Sequence, residues 1–428
     1  MLSNLDYLYN LKRAGIKYDL TVMREFADML GHPERDFRSI HITGSNGKGS
    51  TSAFIYSILR QKFSVGVYTS PHLERFNERI IVDNEEVPDE YIDGFIEKYR
   101  PKFDELSKVN RNPTFFEVTT MMAFQYFKDR KVDYASVEVG LGGRLDATNI
   151  IMPEVSVIAQ VGYEHADKLG CSLTSIAYEK AGIIKEGRPI VLQDDKPEVV
   201  NEVRRIAQVK HSPLITLDRN KIKNLHVDEN GTDFDFDGTN DTYHIHTSLI
   251  GDYQALNAAT AILAVENSKV QVYKKDIETG ISRTIWPGRL EIIDRSPLVI
   301  IDAAHNPPAA NKMVRTVKKV FNREPTIVAG ILSDKDAYSF FSVLRQLSGK
   351  IIFTTPEEKE RAVDPNILMA QYGNLFRSAR VIPDPISAFE HAKKVDDFVF
   401  VTGSIYLIGV IRGLYDKANE KKGTKIVV

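Results

Sequence analysis

The sequence predicts a two-domain α/β protein: a larger N-terminal domain with a mostly parallel sheet and a small antiparallel ribbon, then a smaller C-terminal α/β domain. Three observations lead to that class. β-Branched runs alternate with helical patterns between Ser39 and Leu192 and again between Leu298 and Thr402, the spacing of parallel strands joined by crossover helices. From about 213 to 247, Asn230-Gly231 and Asp237-Gly238 separate short alternating runs such as FDF and YHIH, the mark of an antiparallel ribbon. Pro287-Gly288 after a helical pattern marks the end of the first domain, giving domains at 1–286 and 298–428 with a linker at 287–297.

At 428 residues the chain is long enough for two or three cores, and 43 % apolar with 27 % charged residues is ordinary for a globular protein. A net charge of −2 leaves no cationic excess for nucleic acid or an anionic membrane, so an anionic ligand must be met locally. No run approaches the ~18 apolar residues of a membrane span, and MLSNLDYLYNLKRAG lacks the basic segment and apolar core of a secretion signal. The single cysteine, Cys171, excludes an intramolecular disulfide and fits a reducing compartment. The expectation is a cytoplasmic monomer that acts on small molecules.

Residues 1–36 carry helical spacing, with Leu5, Leu8 and Leu11 followed by Val22, Phe26, Met29 and Leu30, and Gly31 as a stop. The first strand, SIHIT, then runs into the stretch on which the rest turns, TGSNGKGSTS. Gly44, Gly47 and Gly49, with Asn46 between them, let backbone N–H groups approach an anion without a Cβ in the way, and the following helix points its positive end at the same spot. Lys48 adds a charge, and Ser50 or Thr51 places a hydroxyl where a Mg²⁺ bridging phosphates needs an oxygen. This P-loop-type turn departs from G-x-x-x-x-G-K-[ST], because its first glycine is too close and Gly49 separates lysine from hydroxyl.

The helix continues over Ala53–Leu59 and a strand follows at Val65–Thr69. It delivers SPHLERFNERI, where Arg75, Asn77, Glu78 and Arg79 mark a loop that organises polar groups. Thr114 is an N-cap with Glu117 three residues on, a capping box for a helix reaching Phe127, while Phe115 and Phe116 are either core or an aromatic face for a ligand. The buried-type strand Tyr134–Val139 holds Glu138, a carboxylate that is costly there without a partner. In a phosphate-binding domain the natural partner is Mg²⁺ opposite Lys48. Gly140, Gly142 and Gly143 let the backbone swing out at the strand end, where α/β sheets place ligands. His165 lies just past the strand Val155–Val161 and is a second metal-ligand candidate. A helix over Leu173–Ala181 carries Glu179 and Lys180, and a strand follows at Pro189–Leu192. In the ribbon His244 and His246 share one strand face, with no cysteine or further histidine nearby to complete a zinc set. Leu249–Val265 reads as a helix bearing Asn257. In the second domain strands are expected at Leu298–Ala303, Thr326–Ile331, Lys350–Thr354, Val381–Ile382 and Phe398–Thr402, a Rossmann-like arrangement.

Taken in order, TGSNGKGS, YTSPHLERFNERI, TFFE, VEVGLGGRLDATN, HADKLG, YEKAGIIK, LIGDYQALNAA, WPGRLE, DAAHNP and TGSIYLIG resemble the motifs of the folylpolyglutamate synthase and dihydrofolate synthase family of the Mur ligase group, over nearly the whole chain. The resemblance implies an ATP-dependent amide ligase. ATP phosphorylates a substrate carboxylate, and the amine of L-glutamate attacks the acyl phosphate. By the same resemblance Ser70 and Glu138 hold one Mg²⁺ and His165 a second, with Glu138 between them, and Lys180 is the family's carbamylated lysine. Asn257, Arg289 and Asp302 match ATP contacts, and His305 and Ser404 match residues near the incoming glutamate. Thr114, Phe115, Phe116 and Glu117, with Arg144, Leu145 and Asp146 of the GGRLDATN loop, match the pocket for the pterin acid, dihydropteroate or a reduced folate. Ala303 stands where the family often has glycine.

SPHL and GGRLD resemble the versions of dihydrofolate synthases that also extend the glutamate chain; a dedicated chain extender is the alternative. A Mur ligase for cell-wall precursors would carry an extra N-terminal domain on the order of 100 residues, and a regulatory nucleotide switch would need no second metal site.

Overall fold

The computed structural model describes residues 4–11, 19–108, 111–163 and 165–421. The expected helical start of the chain falls partly outside them; within them it is two helices, Asn4–Asn10 and Thr21–Leu30, the second stopped by Gly31 in the left-handed conformation. The first sheet has eight strands: β1 Arg38–Thr43, β2 Val65–Tyr68, β3 Ile80–Val82, β4 Glu85–Glu86, β5 Tyr134–Glu138, β6 Val155–Ile158, β7 Ile190–Leu192 and β8 Leu214–Thr216. Their order is β4-β3-β2-β5-β1-β6-β7-β8, parallel from β2 through β8 with an antiparallel edge of β3 and β4. From β1 the chain passes to one side for β2 and β5, then crosses to the other for β6, β7 and β8. The crevice of an open α/β sheet lies at such a reversal, beyond the carboxyl ends of the strands.

Both faces of this sheet are covered. On one, Phe54, Ile55 and Ile58 of the helix Lys48–Leu59 pack with Ala255, Ala258 and Ile262 of the helix Asp252–Glu266. On the other, Phe26, Phe103, Phe124 and Phe127 form an aromatic core under the helices Thr21–Leu30, Asp89–Lys108 and Phe115–Asp129.

The ribbon has three strands, β9 Ile222–Asp228, β10 Gly231–Asp237 and β11 Thr242–Thr247, so it begins later than expected and Leu214–Thr216 instead closes the large sheet. Phe234, Phe236, Tyr243 and Ile245 face the core, while on the outer face His244 and His246 meet the cross-strand carboxylates of Asp235 and Asp233 at 2.5 and 2.9 Å. The helix expected from Leu249 starts at Asp252, because Gly251 at φ 132 breaks the backbone first.

The second domain is one sheet of six strands: β12 Glu291–Arg295, β13 Leu298–Ile301, β14 Thr326–Ala329, β15 Lys350–Phe353, β16 Ser378–Val381 and β17 Phe398–Thr402, in the order β12-β13-β17-β14-β15-β16. All pairs are parallel except β12 with β13. Part of the expected linker is therefore an antiparallel edge strand, whose short register with a bulge between Ile292 and Asp294 leaves little alternation to read.

The capping box at the start of helix Phe115–Asp129 is present in full: the Thr114 hydroxyl accepts from Glu117 N, and Glu117 Oε2 accepts from Thr114 N and Oγ1 at 2.8 Å. Loss of a cap costs about 1 kcal/mol. Thr114→Ala is expected to lower stability by that amount, read as a lower midpoint in urea with unchanged slope.

Candidate active site

Ile42 of β1 lies level with Glu138 of β5, so both strands end together. The glycine turn that follows β1 and the carboxylate that ends β5 therefore leave the sheet at the same edge. There a cleft of about 300 Å³ opens between the two domains.

The turn forms its first wall. Gly44 and Gly47 have φ of 154° and 88°, and Gly47 caps the helix Lys48–Leu59 from a left-handed conformation. A Cβ on Gly47 would stand 2.6 Å from Asn257 Oδ1, and one on Gly49 would stand 2.9 Å from Trp286 Nε1. The helix start is thus held bare of side chains, with Lys48 Nζ folded over Gly44 O at 2.8 Å. Ser50 faces the cleft; Thr51, one position on and turned by the helical step, does not, and its hydroxyl is buried without a hydrogen bond. Asn257 is fixed by Gln193, which donates at 3.0 Å, and by its own bond to Gln254 at 2.9 Å.

Glu138, Ser70, His165 and Lys180 form the second wall. Burial pushes the Glu138 carboxyl up; the Lys48 charge, the Ser70 N–H at 3.4 Å and then Arg289 and Arg79 pull it back. Lys180, 1 % exposed, sits in the last turn of the helix Leu173–Ala181.

The second domain supplies the third wall with Arg289, Asp302, His305 and Ser404. Asp302 accepts from Leu290 N and Ala304 N at 2.9 and 2.8 Å; burial raises its carboxyl and Arg289 opposes that. Ala303 keeps ordinary backbone geometry and donates its N–H to Gly288 O, so the alanine is accommodated. The His305 pKa is pushed down to about 4, chiefly by burial and then by the Lys335 cation. Its Nδ1 lies 2.9 Å from Ala303 O, which makes Nδ1 the protonated nitrogen and leaves Nε2 as an acceptor. The Ser404 hydroxyl accepts from Tyr406 N at 3.2 Å.

Seven candidates for the acid pocket lie outside the lining of this cleft. Thr114 and Glu117 satisfy each other as a cap, and Phe115 stacks on Tyr9 at 5.7 Å beneath the Arg79 guanidinium. Phe116 supports from behind: a Cβ on Gly140, which does line the cleft, would stand 2.5 Å from its ring. Arg144 is paired with Glu179 at 2.9 Å, Leu145 is half-buried, and Asp146 is consumed by Leu141 N and Thr148. Of the polar loop, Arg79 is buried and donates to His72 Nδ1, while Arg75 turns outward to Glu86. Lining residues that sequence reasoning missed include Lys312, Lys335, Arg361 and Tyr406. Lys312 donates to Gln160 across the cleft at 2.6 Å, and Lys335 and Arg361 share Asp334 at 2.9 and 2.8 Å.

The donor set fits a hard divalent cation. Two hydroxyls and a buried carboxylate converge beside a phosphate-holding turn, and no three His, Cys, Asp or Glu side chains among the described residues form a closed cage. Mg²⁺ commonly binds in that manner, through one or two protein oxygens and substrate phosphates.

A P-loop-type turn on one α/β domain, facing a second that closes the cleft, defines a nucleotide-dependent ligase of the Mur type. The Mur ligase middle domain matches residues 42–265 and the Mur ligase glutamate ligase domain residues 288–405. The chain is 35 % identical to the dihydrofolate synthase/folylpolyglutamate synthase of Bacillus subtilis, over 95 % of this chain and 97 % of that one. Its structure resembles Mycobacterium tuberculosis folylpolyglutamate synthase complexed with ADP and AMPPCP (TM-score 0.90, 30 % identity, 96 % and 98 % covered). It also resembles Escherichia coli FolC in complex with DHPP and ADP (TM-score 0.84, 29 % identity, 98 % and 99 % covered). The chain belongs to the dihydrofolate synthase/folylpolyglutamate synthase family of Mur ligases. It is an ATP-dependent glutamate ligase.

Gly47→Ala is expected to weaken AMPPCP binding at least about tenfold, because an alanine escapes a left-handed strain of about 1–2 kcal/mol and the clash with Asn257 by moving the turn off the geometry that phosphate needs. Calorimetric titration would measure it.

Proposed function

We propose that this enzyme joins L-glutamate to dihydropteroate and, in further cycles, to the terminal glutamate of reduced folates. The observation that carries the reading is the level ending of β1 and β5, which puts a glycine cradle and a buried carboxylate on one cleft that the second domain closes. ATP lies with its phosphates on Gly44, Asn46, Gly47, Lys48, Gly49 and Ser50, near Asn257, Arg289 and Asp302. The acid carboxylate is a poor electrophile until activated: its oxygen attacks the γ-phosphorus, the bond to the β–γ bridging oxygen breaks, ADP leaves with that electron pair, and Lys48 and Arg289 offset the charge that moves with the phosphoryl group. The glutamate amine then attacks the acyl phosphate carbon; the C–N bond forms, the bond from carbon to the phosphate oxygen breaks, and the amine's proton passes to the departing phosphate or to solvent. His305 Nε2, neutral at pH 7 and a weak base, orients that amine by accepting a hydrogen bond. Lys335 and Arg361 offer cations to the amino acid's carboxylates.

One Mg²⁺ would be held by Ser50, Ser70 and Glu138 and a second by His165, with Glu138 between them, and they would neutralise phosphate charge during transfer. An unmodified Lys180 would repel these cations; carbamylation turns its amine into a carboxylate-like ligand, in agreement with a lysine buried on this wall. A single chain suffices, since both domains of one molecule line the cleft. No described helix is long and apolar enough to cross a membrane. We place the enzyme in the cytoplasm, a compartment suited to its exposed lone thiol, Cys171.

The test is mass spectrometry of products formed from ATP, Mg²⁺, glutamate and either dihydropteroate or a reduced folate. Both acids should gain glutamate; gain by the folate alone would restrict the enzyme to chain extension. Glu138→Ala should abolish product while leaving the fold intact, and retained product formation would reject the metal assignment. Lys180 should carry the added mass of one carbon dioxide when the intact protein is weighed near neutral pH.

A further inference from the structure

The Ser70 loop and the Arg289 turn flank the cleft from different domains, and one side chain reaches both. Arg412, 8 % exposed on the helix Ile405–Lys421, donates from Nη1 to Glu74 Oε1 at 3.3 Å and from Nε to Glu291 Oε1 at 3.1 Å. A third contact, to Asp416 Oδ2 at 2.6 Å, steadies the guanidinium from its own helix. Each outer carboxylate leads inward. Glu291 Oε2 accepts from Gly288 N at 2.7 Å, next to Arg289. Glu74 belongs to the loop that starts at Ser70, and the Glu78 carboxylate accepts from Leu73 N, Glu74 N and Arg75 N at 2.6–2.8 Å, which ties that segment together.

The helix lies flush on that segment. A Cβ on Gly409 would stand 2.1 Å from Leu73 O, one on Gly413 would stand 2.8 Å from Glu74 Oε2, and one on Gly288 would stand 2.8 Å from Ile408 Cδ1. Leu73 packs into the apolar cluster of the second domain with Ile408 and Ile411. We propose that Arg412 is a positioning residue for the ligation, a clasp that sets the Ser70 loop and the Arg289 turn in register around Glu138. Burial, then Asp416, raises the Glu74 carboxyl to about 7 against the pull of Arg412, with Glu78 adding to the rise. Removing the guanidinium therefore leaves the Glu74, Glu291 and Asp416 carboxyls without the donor that holds them together.

The proposal rests on the active-site reading above, and Trp286, the chain's single tryptophan, gives a readout independent of catalysis because its indole lies against Gly49. Arg412→Lys keeps the charge but loses the fork that reaches two loops at once. In the full-length enzyme it is expected to lower kcat about tenfold, in keeping with the cost of small misplacements, with the KM for glutamate within about twofold. Trp286 emission should shift in the absence of nucleotide and respond less to added Mg²⁺ and ADP. Glu74→Gln, whose amide oxygen still accepts the Arg412 bond, should retain most activity. Glu74→Ala should behave like Arg412→Lys, and the double variant should be no worse than either single one. Wild-type kcat and emission in Arg412→Lys, a lowered melting temperature with unchanged kcat per folded molecule, or additive losses in the double variant would each overturn the clasp. An active Glu138→Ala would instead reject the site reading, leaving the Trp286 result to judge the clasp alone.

Discussion

A buried carboxylate at the end of a parallel strand governs this structure. An unpaired carboxylate in a protein interior is strongly disfavoured in its charged form, and Glu138 is 4 % exposed. What opposes the penalty comes from three directions: Lys48 on the glycine turn, the Ser70 N–H and the Arg79 charge on the segment after β2, and Arg289 from the second domain. Each requires a separate structural commitment. The register that makes Ile42 level with Glu138 brings in the turn, the β2–β5 pairing brings in the Ser70 loop, and closure of the second domain brings in the arginine.

The glycines answer a different demand at the same edge. Gly47 packs its bare α-carbon against Asn257, and Gly49 does so against the indole of Trp286. The helix that follows is buried along most of its length between the sheet and the helix Asp252–Glu266. Its amino end is therefore held rigidly where backbone N–H groups face the cleft. A rigid donor array needs little reorganisation when charge moves between phosphate and carboxylate, which is where such sites gain most.

Much of this was legible in the chain, for identifiable reasons. Glu138 stands out because a carboxylate inside an apolar run has few inexpensive explanations, and Asn230-Gly231 and Asp237-Gly238 fix the hairpins because their turn chemistry is local. What stayed hidden depends on distance. Strand β12 pairs through a bulge at the sheet edge and shows no alternation. Lys312, Lys335 and Arg361 come from separate segments of the second domain and meet the cleft only through its sheet order. The acid-pocket candidates also carry bonds of their own within the loops. A motif records what the backbone needs as well as what the ligand needs. In GGRLDATN, Asp146 holds Leu141 N and Thr148, and Arg144 holds Glu179, so the conspicuous side chains shape the loop that Gly140 and Gly142 present to the cleft.

Closure of the two domains and the charge of the site are consequently one variable. Arg289 lowers the carboxyl groups of both Glu138 and Asp302, one from each domain. Glu138 keeps only the Lys48 and Arg79 charges and the Ser70 N–H if the second domain withdraws, and burial then weighs more heavily on its anionic form. With the domain in place Arg289 offsets part of that burial penalty, and an anion is the form that binds a divalent cation. His305 follows the opposite rule, since burial and Lys335 both keep it neutral, so the same approach that eases the charge on one wall leaves an uncharged acceptor on the other. A ligase needs that asymmetry, because a nucleotide phosphate and a free amine call for opposite electrostatic surroundings within one cleft.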